Sequence, residues 1–242
     1  MKKYSRRGDD AVEIRDLGVV GYADVLRTQN DLLDKRIAGE IPDTLIMVEH
    51  DPVVTLGRVA EAASIIDKDF FDKQGISVIS TGRGGKITYH APGQLVLYPI
   101  LSLSEKRRDI GFYIDFLEKT TVNSLRRMGV AAERTEKSRG VWVEAEKIAF
   151  IGVAVKRWVT FHGVAINLNN DITPFTRMHP CGQSDIRVTS AKERLGREVN
   201  MMDAKKIFAE QFIKDLEAEY GTKTAGIIVK HSRSDYNRVA CY

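Results

Sequence analysis

The chain has 242 residues, of which 43% are hydrophobic and 29% are charged, and its formal net charge is +4. This composition is typical of a globular protein and excludes a chain that is disordered throughout. The 37 basic and 33 acidic residues are spread along the chain, so the mild positive bias does not indicate nucleic-acid binding. No apolar run approaches the roughly 18 residues that a membrane span requires. We therefore expect neither a nucleic-acid nor a membrane partner.

The sequence contains only two cysteines, Cys181 and Cys241. Two cysteines cannot form a disulfide framework, and the charged N-terminal segment MKKYSRRGDD turns acidic where a signal peptide becomes apolar. Both observations favour a reducing compartment, so a cytoplasmic location is expected. We also expect the protein to be a monomer.

Hydrophobic periodicity and turn residues predict alternating strands and helices in the first part of the chain. The predicted elements, in order, are a strand at residues 11–20, a helix at 22–38, strands at 45–48 and 53–56, a helix at 67–74 and a strand at 76–79.

The later part of the chain is predicted in the same way. An apolar run at 95–101 and a helix at 109–128 are followed by an antiparallel meander at 140–143, 147–158 and 159–168, a short helix near Ala191, a helix at 202–220 and a basic tail at 222–242. Helices alternate with antiparallel segments without a strict βαβ rhythm, and neither a repeat nor a linker is visible. We expect one α+β domain spanning residues 1–242.

A glycine-rich segment, residues 81–94, separates two of these elements. Three glycines within four positions, followed by Pro92-Gly93, give a loop whose backbone can approach a ligand closely. A substrate clamp and a simple hairpin turn are equally compatible with this pattern. The spacing matches neither GxxxxGK[ST] nor GxGxxG, so nucleotide binding is not indicated.

Cys181 lies between Pro180 and Gly182, where a sharp turn can present a thiol to a substrate. Burial as a small hydrophobic residue is the main alternative, although the Pro and Gly flanks argue against it. His179 is the one nearby metal-ligand type, which falls short of a zinc site.

A nucleophilic thiol needs a base or a cation beside it, which the five histidines and the lysines can supply. Lys147 stands out because it begins a mostly apolar predicted strand. From its position alone, a lysine facing water at the strand edge is the more frequent arrangement.

Four motifs in fixed order resemble the lipoyl(octanoyl) transferases, which are related to the lipoate and biotin protein ligases. The motifs are RGGKITYHAPGQLVLYPI (83–100), KIAFIG (147–152), KRWVTFHGVAINL (156–168) and ITPFTRMHPCG (172–182). The similarity covers about residues 40–185.

The resemblance implies a mixed, mostly antiparallel sheet flanked by helices, and transfer of an octanoyl group from acyl carrier protein to a lysine of a lipoyl domain. The acceptors would be the E2 subunits of 2-oxoacid dehydrogenases and the glycine cleavage H protein, with no metal and no ATP. Cys181 would carry the acyl thioester and Lys147 would lower its pKa. The acyl pocket would be lined by Arg83, Gly84, Gly85, Lys86, Ile87, Thr88, Tyr89, His90, Phe150, Ile151, Gly152, Gly163, Val164 and Ala165.

Two positions depart from the family pattern. Ala91 stands where many members have Gly, so this turn must avoid a positive φ at that residue. Phe150 occupies a position that is usually small, which suggests an altered pocket and a different preference for acyl chain length. Two rival functions stay open: an ATP-dependent lipoate ligase, and a non-catalytic module that binds lipoyl domains.

Overall fold

The computed structural model describes residues 11–60, 64–103, 107–136, 138–180, 186–221 and 226–231. The strands are β1 Ala11–Val19, β2 Asp43–Glu49, β3 Val53–Leu56, β4 Ser77–Ser80, β5 Ile87–His90, β6 Gln94–Ile100, β7 Val141–Val143, β8 Glu146–Lys156, β9 Val159–Asn167, β10 Arg187–Val188 and β11 Gly226–His231. The helices are α1 Tyr22–Ala38, α2 Lys68–Lys73, α3 Ile110–Arg127, α4 Ala191–Leu195 and α5 Met201–Tyr220, with a 3₁₀-helix at Thr173–Arg177.

The strands form two sheets of mixed direction. The eight-stranded main sheet has the order β10-β8-β9-β6-β2-β1-β11, with β7 paired to β8. Its centre is antiparallel, whereas β10, β1 and β11 each pair in parallel. The small sheet has the order β4-β3-β5. The prediction of an α+β fold with a mixed sheet flanked by helices is therefore confirmed, although the strands divide between two sheets.

Helices cover both faces of the main sheet because its central strands are apolar on both sides. In β2, Leu45 and Met47 pack with α3 and α5, while Ile46 and Val48 pack with α1. Side chains alternate between faces along a strand, so this continuous apolar run supplies both interfaces.

Sequence signals set the ends of most helices. Asp109 accepts a hydrogen bond from the Phe112 backbone N–H at the start of α3, and Asp67 does the same for Phe70 at α2. Helix α1 ends where Gly39 adopts φ +72°, a conformation that costs glycine little. The predicted α1 coincides with the observed helix, and the other predicted helices agree with the structure to within a few residues.

Four elements were not predicted. Strand β5 lies inside the glycine-rich segment, β10 and the 3₁₀-helix flank the Pro-Cys-Gly tripeptide, and β11 lies in the predicted basic tail. The tail prediction was wrong for Gly226–His231, because this segment pairs in parallel with β1. Among the described residues, no helix combines the length and apolarity needed to cross a bilayer.

Candidate active site

A cavity of about 320 Å³ is bounded by α1, by β5 of the small sheet and by β6, β8 and β9 of the main sheet. Lys147 lines it together with most of the predicted pocket residues: Arg83, Gly85, Lys86, Ile87, Thr88, His90, Phe150, Ile151, Gly152, Gly163, Val164 and Ala165. Segments far apart in the sequence therefore meet here, because β8 and β9 pair side by side and the loop before β5 folds onto them.

Gly84 and Tyr89 are the two predicted pocket residues that are not part of the cavity lining. The Gly84 N–H donates to the Val153 carbonyl at 2.8 Å, which anchors the glycine-rich loop on β8. The Tyr89 ring packs edge-on against Phe175, with centroids 5.8 Å apart. Substrate contact by either residue stays a prediction.

Sequence reasoning missed part of the lining: Tyr22, Val59, Val96, Tyr98, Ser138 and Arg139, with His162 left without a role. The two tyrosines lie within patterns that also predict core residues, the stripe of α1 and the apolar run of β6. The one signal available was Tyr98, whose ring carries a hydroxyl group and stands within an apolar run.

Glycines let the backbone segments around the cavity approach one another. Gly152 and Gly163 are paired across β8 and β9. A Cβ on Gly163 would lie 2.1 Å from the Leu97 carbonyl oxygen, and one on Gly152 would lie 3.1 Å from Arg83 Cδ. Any larger residue at Gly163 would push the strands apart. In the HAPGQ turn, the positive φ is at Gly93 (+87°) and not at Ala91, so the departure at Ala91 is accommodated.

Lys147 is buried, with 2% of its surface exposed. Its Nζ donates to the Arg139 carbonyl oxygen at 2.7 Å and lies 5.2 Å from the ring centres of both Trp142 and Phe150. The alternative of a lysine that faces water at a strand edge is therefore wrong. A carbonyl and two aromatic faces together suit an ammonium group.

The space for Lys147 exists because residue 140 is a glycine. Gly140 has φ +118°, and a Cβ there would lie 2.5 Å from Lys147 Cε and 2.6 Å from the Ala149 carbonyl oxygen. Both its φ and its close contacts therefore require glycine.

Cys181 and Cys241, the thiols considered above, lie outside the described residues. The neighbours of Cys181 that are described are Pro180 and Ile186, and both line a second hollow that also includes Glu146. Directly after Ile186, strand β10 pairs Val188 with Lys147. Within the described ranges, no group of three or more His, Cys, Asp or Glu side chains is arranged to hold a metal ion.

Buried histidines and tyrosines form a cluster at one end of the cavity. His50 Nδ1 lies 2.9 Å from the Val20 carbonyl oxygen, which can only accept, and His50 Nε2 lies 2.8 Å from the Tyr98 hydroxyl. His50 therefore carries its proton on Nδ1 and accepts from Tyr98 at Nε2. His90 Nδ1 lies 2.7 Å from Gln94 Oε1 and its ring stacks on Tyr22.

His162 differs from these two because neither of its ring nitrogens has a hydrogen-bond partner among the described residues. It adopts φ +56°, which few residue types tolerate and histidine tolerates better than most. Burial lowers the pKa of His50 and of His162 to about 4. Burial, followed by the neighbouring His50, holds the pKa of His90 well below its usual range. All three rings are therefore neutral near pH 7.

Arg83 supplies a fixed positive charge beside the cavity. It is 7% exposed, and its guanidinium donates to the Thr55 carbonyl and hydroxyl oxygens at 2.7 and 2.8 Å and to the Gly84 carbonyl at 3.1 Å. Its charge contributes to the lowered pKa of His162, after burial.

Comparison with known proteins agrees with this architecture. The model for the lipoyl protein ligase A/B catalytic domain matches residues 21–213. The chain is 43% identical to the octanoyltransferase of Syntrophotalea carbinolica over 194 residues, which cover 80% of this chain and 89% of that protein. It is 41% identical to the octanoyltransferase of Geobacter sp. strain M21 over 199 residues, or 82% of this chain and 94% of the relative.

Solved structures share the fold at low sequence identity. A bipartite lipoate protein ligase from Thermoplasma acidophilum superposes with a TM-score of 0.66 at 18% identity, covering 95% of this chain and 90% of that one. Biotin protein ligase from Aquifex aeolicus in complex with biotin and ATP gives a TM-score of 0.56 at 13% identity, covering 87% and 73%.

The chain belongs to the lipoyl protein ligase A/B catalytic domain family. The relatives also confirm the prediction that it is an acyltransferase.

Proposed function

We propose that this protein transfers an octanoyl group from octanoyl-acyl carrier protein to one lysine of a lipoyl domain, through a thioester on Cys181. The acceptors would be E2 subunits of 2-oxoacid dehydrogenases and the glycine cleavage H protein. The observation that carries the proposal is the buried Lys147 at a cavity built from the predicted pocket residues, in a chain about 40% identical to octanoyltransferases.

The cavity is suited to an acyl chain because much of its wall is aliphatic or bare backbone. Ile87, Val96, Ile151, Val164 and Ala165 contribute apolar surface to the lining. Each methylene that leaves water for such a wall contributes about 0.8 kcal/mol to binding. The eight-carbon chain therefore supplies enough hydrophobic burial to hold the donor.

The first step is an exchange of thioesters. A protonated Lys147 favours the Cys181 thiolate, which attacks the octanoyl carbonyl carbon. The bond from that carbon to the carrier sulfur then breaks, and the carrier leaves as a thiolate that takes up the proton of Lys147, so that Lys147 becomes neutral. One thioester replaces another, so the step needs no external energy.

The second step forms the amide. The neutral ε-amine of the acceptor lysine attacks the Cys181 thioester, the carbon–sulfur bond breaks, and Cys181 leaves as the thiolate. The amine loses one proton to the neutral Lys147, which restores the ammonium and thiolate forms of the two residues. An amide is more stable than a thioester, so we expect neither ATP nor a metal to be required.

Mass spectrometry of the intact protein and its peptides tests the proposal. After incubation with octanoyl-acyl carrier protein and without ATP, the wild type should carry an octanoyl group on the Cys181 peptide that hydroxylamine removes. Cys181→Ser should carry none, and Lys147→Ala should form it at least about 100-fold more slowly. Lys156→Ala is the matched control, because Lys156 lies on the same strand but is exposed and paired with Asp34.

Two other results would each identify one of the rival functions. Acyl transfer only when ATP and free octanoic acid are supplied would identify an ATP-dependent ligase. Binding of a lipoyl domain without a covalent acyl form, together with an ordinary thiol reactivity of Cys181, would identify a non-catalytic module.

A further inference from the structure

One peptide group connects Lys147 to a buried carboxylate. The carbonyl oxygen of the Arg139–Gly140 peptide accepts from Lys147 Nζ at 2.7 Å. The N–H of the same peptide donates to Glu118 Oε1 at 2.8 Å. The ammonium and the carboxylate therefore lie at opposite ends of a single peptide dipole, each against the end that attracts it.

Glu118 belongs to α3 and is 3% exposed. Its other oxygen, Oε2, accepts from Arg134 Nε at 3.0 Å and from Arg139 Nη1 at 3.3 Å. The Glu118 carboxylate thus holds the segment before β7 in two ways: it contacts the side chains of Arg134 and Arg139, and it accepts from the Gly140 backbone N–H. The Gly140 N–H is the contact that leads on to Lys147.

We propose that Glu118 is a positioning residue for Lys147 and acts through the Arg139–Gly140 peptide. The proposal rests on the function proposed above. A hydrogen bond from an N–H to a carboxylate is stronger than one to a neutral acceptor, and it polarises the peptide so that its carbonyl oxygen becomes a better acceptor. The ammonium is thereby held in one direction, with its charge favoured by the carboxylate behind the peptide.

A purely structural role for Glu118 is the competing explanation, since a buried carboxylate beside two arginines stabilises a fold without affecting catalysis. Asp115 separates the two explanations. It lies one turn earlier on α3 and accepts from the same arginines, Arg134 at 2.6 Å and Arg139, but its side chain is 43% exposed. The Gly140 N–H donates to Glu118 and not to Asp115.

The experiment compares Glu118→Gln with Asp115→Asn. Glutamine keeps an oxygen for the Gly140 N–H but loses the charge, and each variant removes one negative charge from the same arginines. Alkylation of Cys181 by iodoacetamide is followed by peptide mass spectrometry from pH 5 to 10, with Cys241 as an internal reference. Single-turnover octanoyl transfer and the melting temperature are measured on the same samples.

We expect Glu118→Gln to raise the pH midpoint of Cys181 alkylation by about one unit and to slow octanoyl transfer about tenfold. Asp115→Asn should change neither. In a Lys147→Ala background, Glu118→Gln should cause no further shift of the midpoint, because its effect passes through the lysine. Equal effects of the two variants, or a lower melting temperature with an unchanged midpoint, would overturn the proposal.

Two safeguards keep the outcomes separate. If Glu118→Gln does not fold, Glu118→Asp takes its place. The shorter carboxylate withdraws from the Gly140 N–H, so octanoyl transfer should fall at least about threefold below that of Asp115→Asn. Equal transfer by these two variants would overturn the proposal.

The failure of this proposal can be told apart from the failure of the proposed function. An absence of any octanoyl adduct in the wild type would refute the proposed function. A midpoint of Cys181 alkylation that responds to Lys147→Ala but not to Glu118→Gln would refute the positioning role alone.

Discussion

The two ends of the cavity are built for opposite electrostatic tasks. Lys147 lies at the start of β8, against one carbonyl and two aromatic rings. His162 lies opposite Val153, six residues farther along β8, beside Tyr98. At about 3.3 Å per residue, this separation is of the order of 20 Å along the strand.

The difference lies in how each end treats charge. At the lysine end, a carbonyl backed by Glu118 accepts from Nζ. At the histidine end, burial keeps three imidazoles neutral, and Arg83 adds to the cost of protonating His162. One cavity therefore has an end suited to an ammonium group and an end whose imidazoles are neutral, and we expect the second end to receive the acyl chain. The predictions below test that division.

The largest effect on octanoyl transfer is expected from Gly140→Ala, which disturbs the lysine end of the cavity. The added Cβ would meet Lys147 Cε at 2.5 Å, and alanine disfavours φ +118°. We expect octanoyl transfer to fall at least about 100-fold and the free energy of unfolding to fall by about 2–4 kcal/mol.

Gly196→Ala is the matched control for that variant. Gly196 also has a positive φ (+65°), but a Cβ there meets nothing within 4 Å. Stability should therefore drop by about 1 kcal/mol from backbone strain alone, while transfer continues. Comparable loss of transfer in both variants would show that backbone strain, and not displacement of Lys147, is responsible.

The second prediction concerns the histidine end and pH. His50, His90 and His162 have folded-state pKa values below the unfolded value near 6.5. The unfolded chain therefore binds more protons at acidic pH, so the stability that these residues contribute is present above about pH 6.5 and lost as pH falls toward 4. Each histidine contributes a slope of up to about 1.4 kcal/mol per pH unit in that window.

Urea denaturation between pH 7.5 and 4.5 measures this slope. His162→Asn should reduce it by the contribution of one histidine, because asparagine tolerates a positive φ and does not titrate. An unchanged slope in that variant would mean that His162 takes up its proton over the same pH range in the folded and unfolded chain, and that burial does not lower its pKa.

Much of the fold was readable in the sequence because its signals are local. The stripe of α1, the starts of the two helices predicted at Asp67 and Asp109, and the meander β7-β8-β9 each follow from neighbouring residues. Strands β5, β10 and β11 were not readable, since each is short or lies among turn or basic residues. Strand β11 is stabilised by pairing with β1, more than 200 residues away in sequence.

The candidate site was predicted in a different way. The family motifs predicted Lys147 and the pocket residues. No local sequence pattern connects Glu118 to them. Glu118 lies on a helix where acidic residues are ordinarily exposed, and its role depends on a loop that returns to that helix. Tyr22 and Tyr98 were not predicted as cavity residues, because a buried aromatic residue fits the pattern of a hydrophobic core as well as that of a cavity wall.

The third prediction tests the hydrogen bonds that hold the histidine end. Tyr98→Phe removes the hydroxyl that donates to His50 Nε2 and leaves that buried nitrogen without a partner. We expect unfolding to become easier by about 1–2 kcal/mol, as read from urea denaturation at pH 7.5. Tyr220→Phe should cost almost nothing, because no described residue hydrogen-bonds to the Tyr220 hydroxyl while its ring still packs on Phe112 and Phe116.

The smallest expected effect is on acyl chain-length preference, and it tests which end of the cavity binds the terminal methyl group of the acyl chain. The family pattern directs attention to Phe150, yet that ring stacks on Phe175 at 5.0 Å and lies beside Lys147. Phe150→Ala should therefore slow octanoyl and decanoyl transfer alike. His162→Asn enlarges the opposite end, and the ratio of decanoyl to octanoyl transfer should rise about fourfold per added methylene that becomes buried. The reverse result, with the ratio responding to Phe150→Ala alone, would place the methyl end of the chain next to the lysine and overturn the division between the two ends.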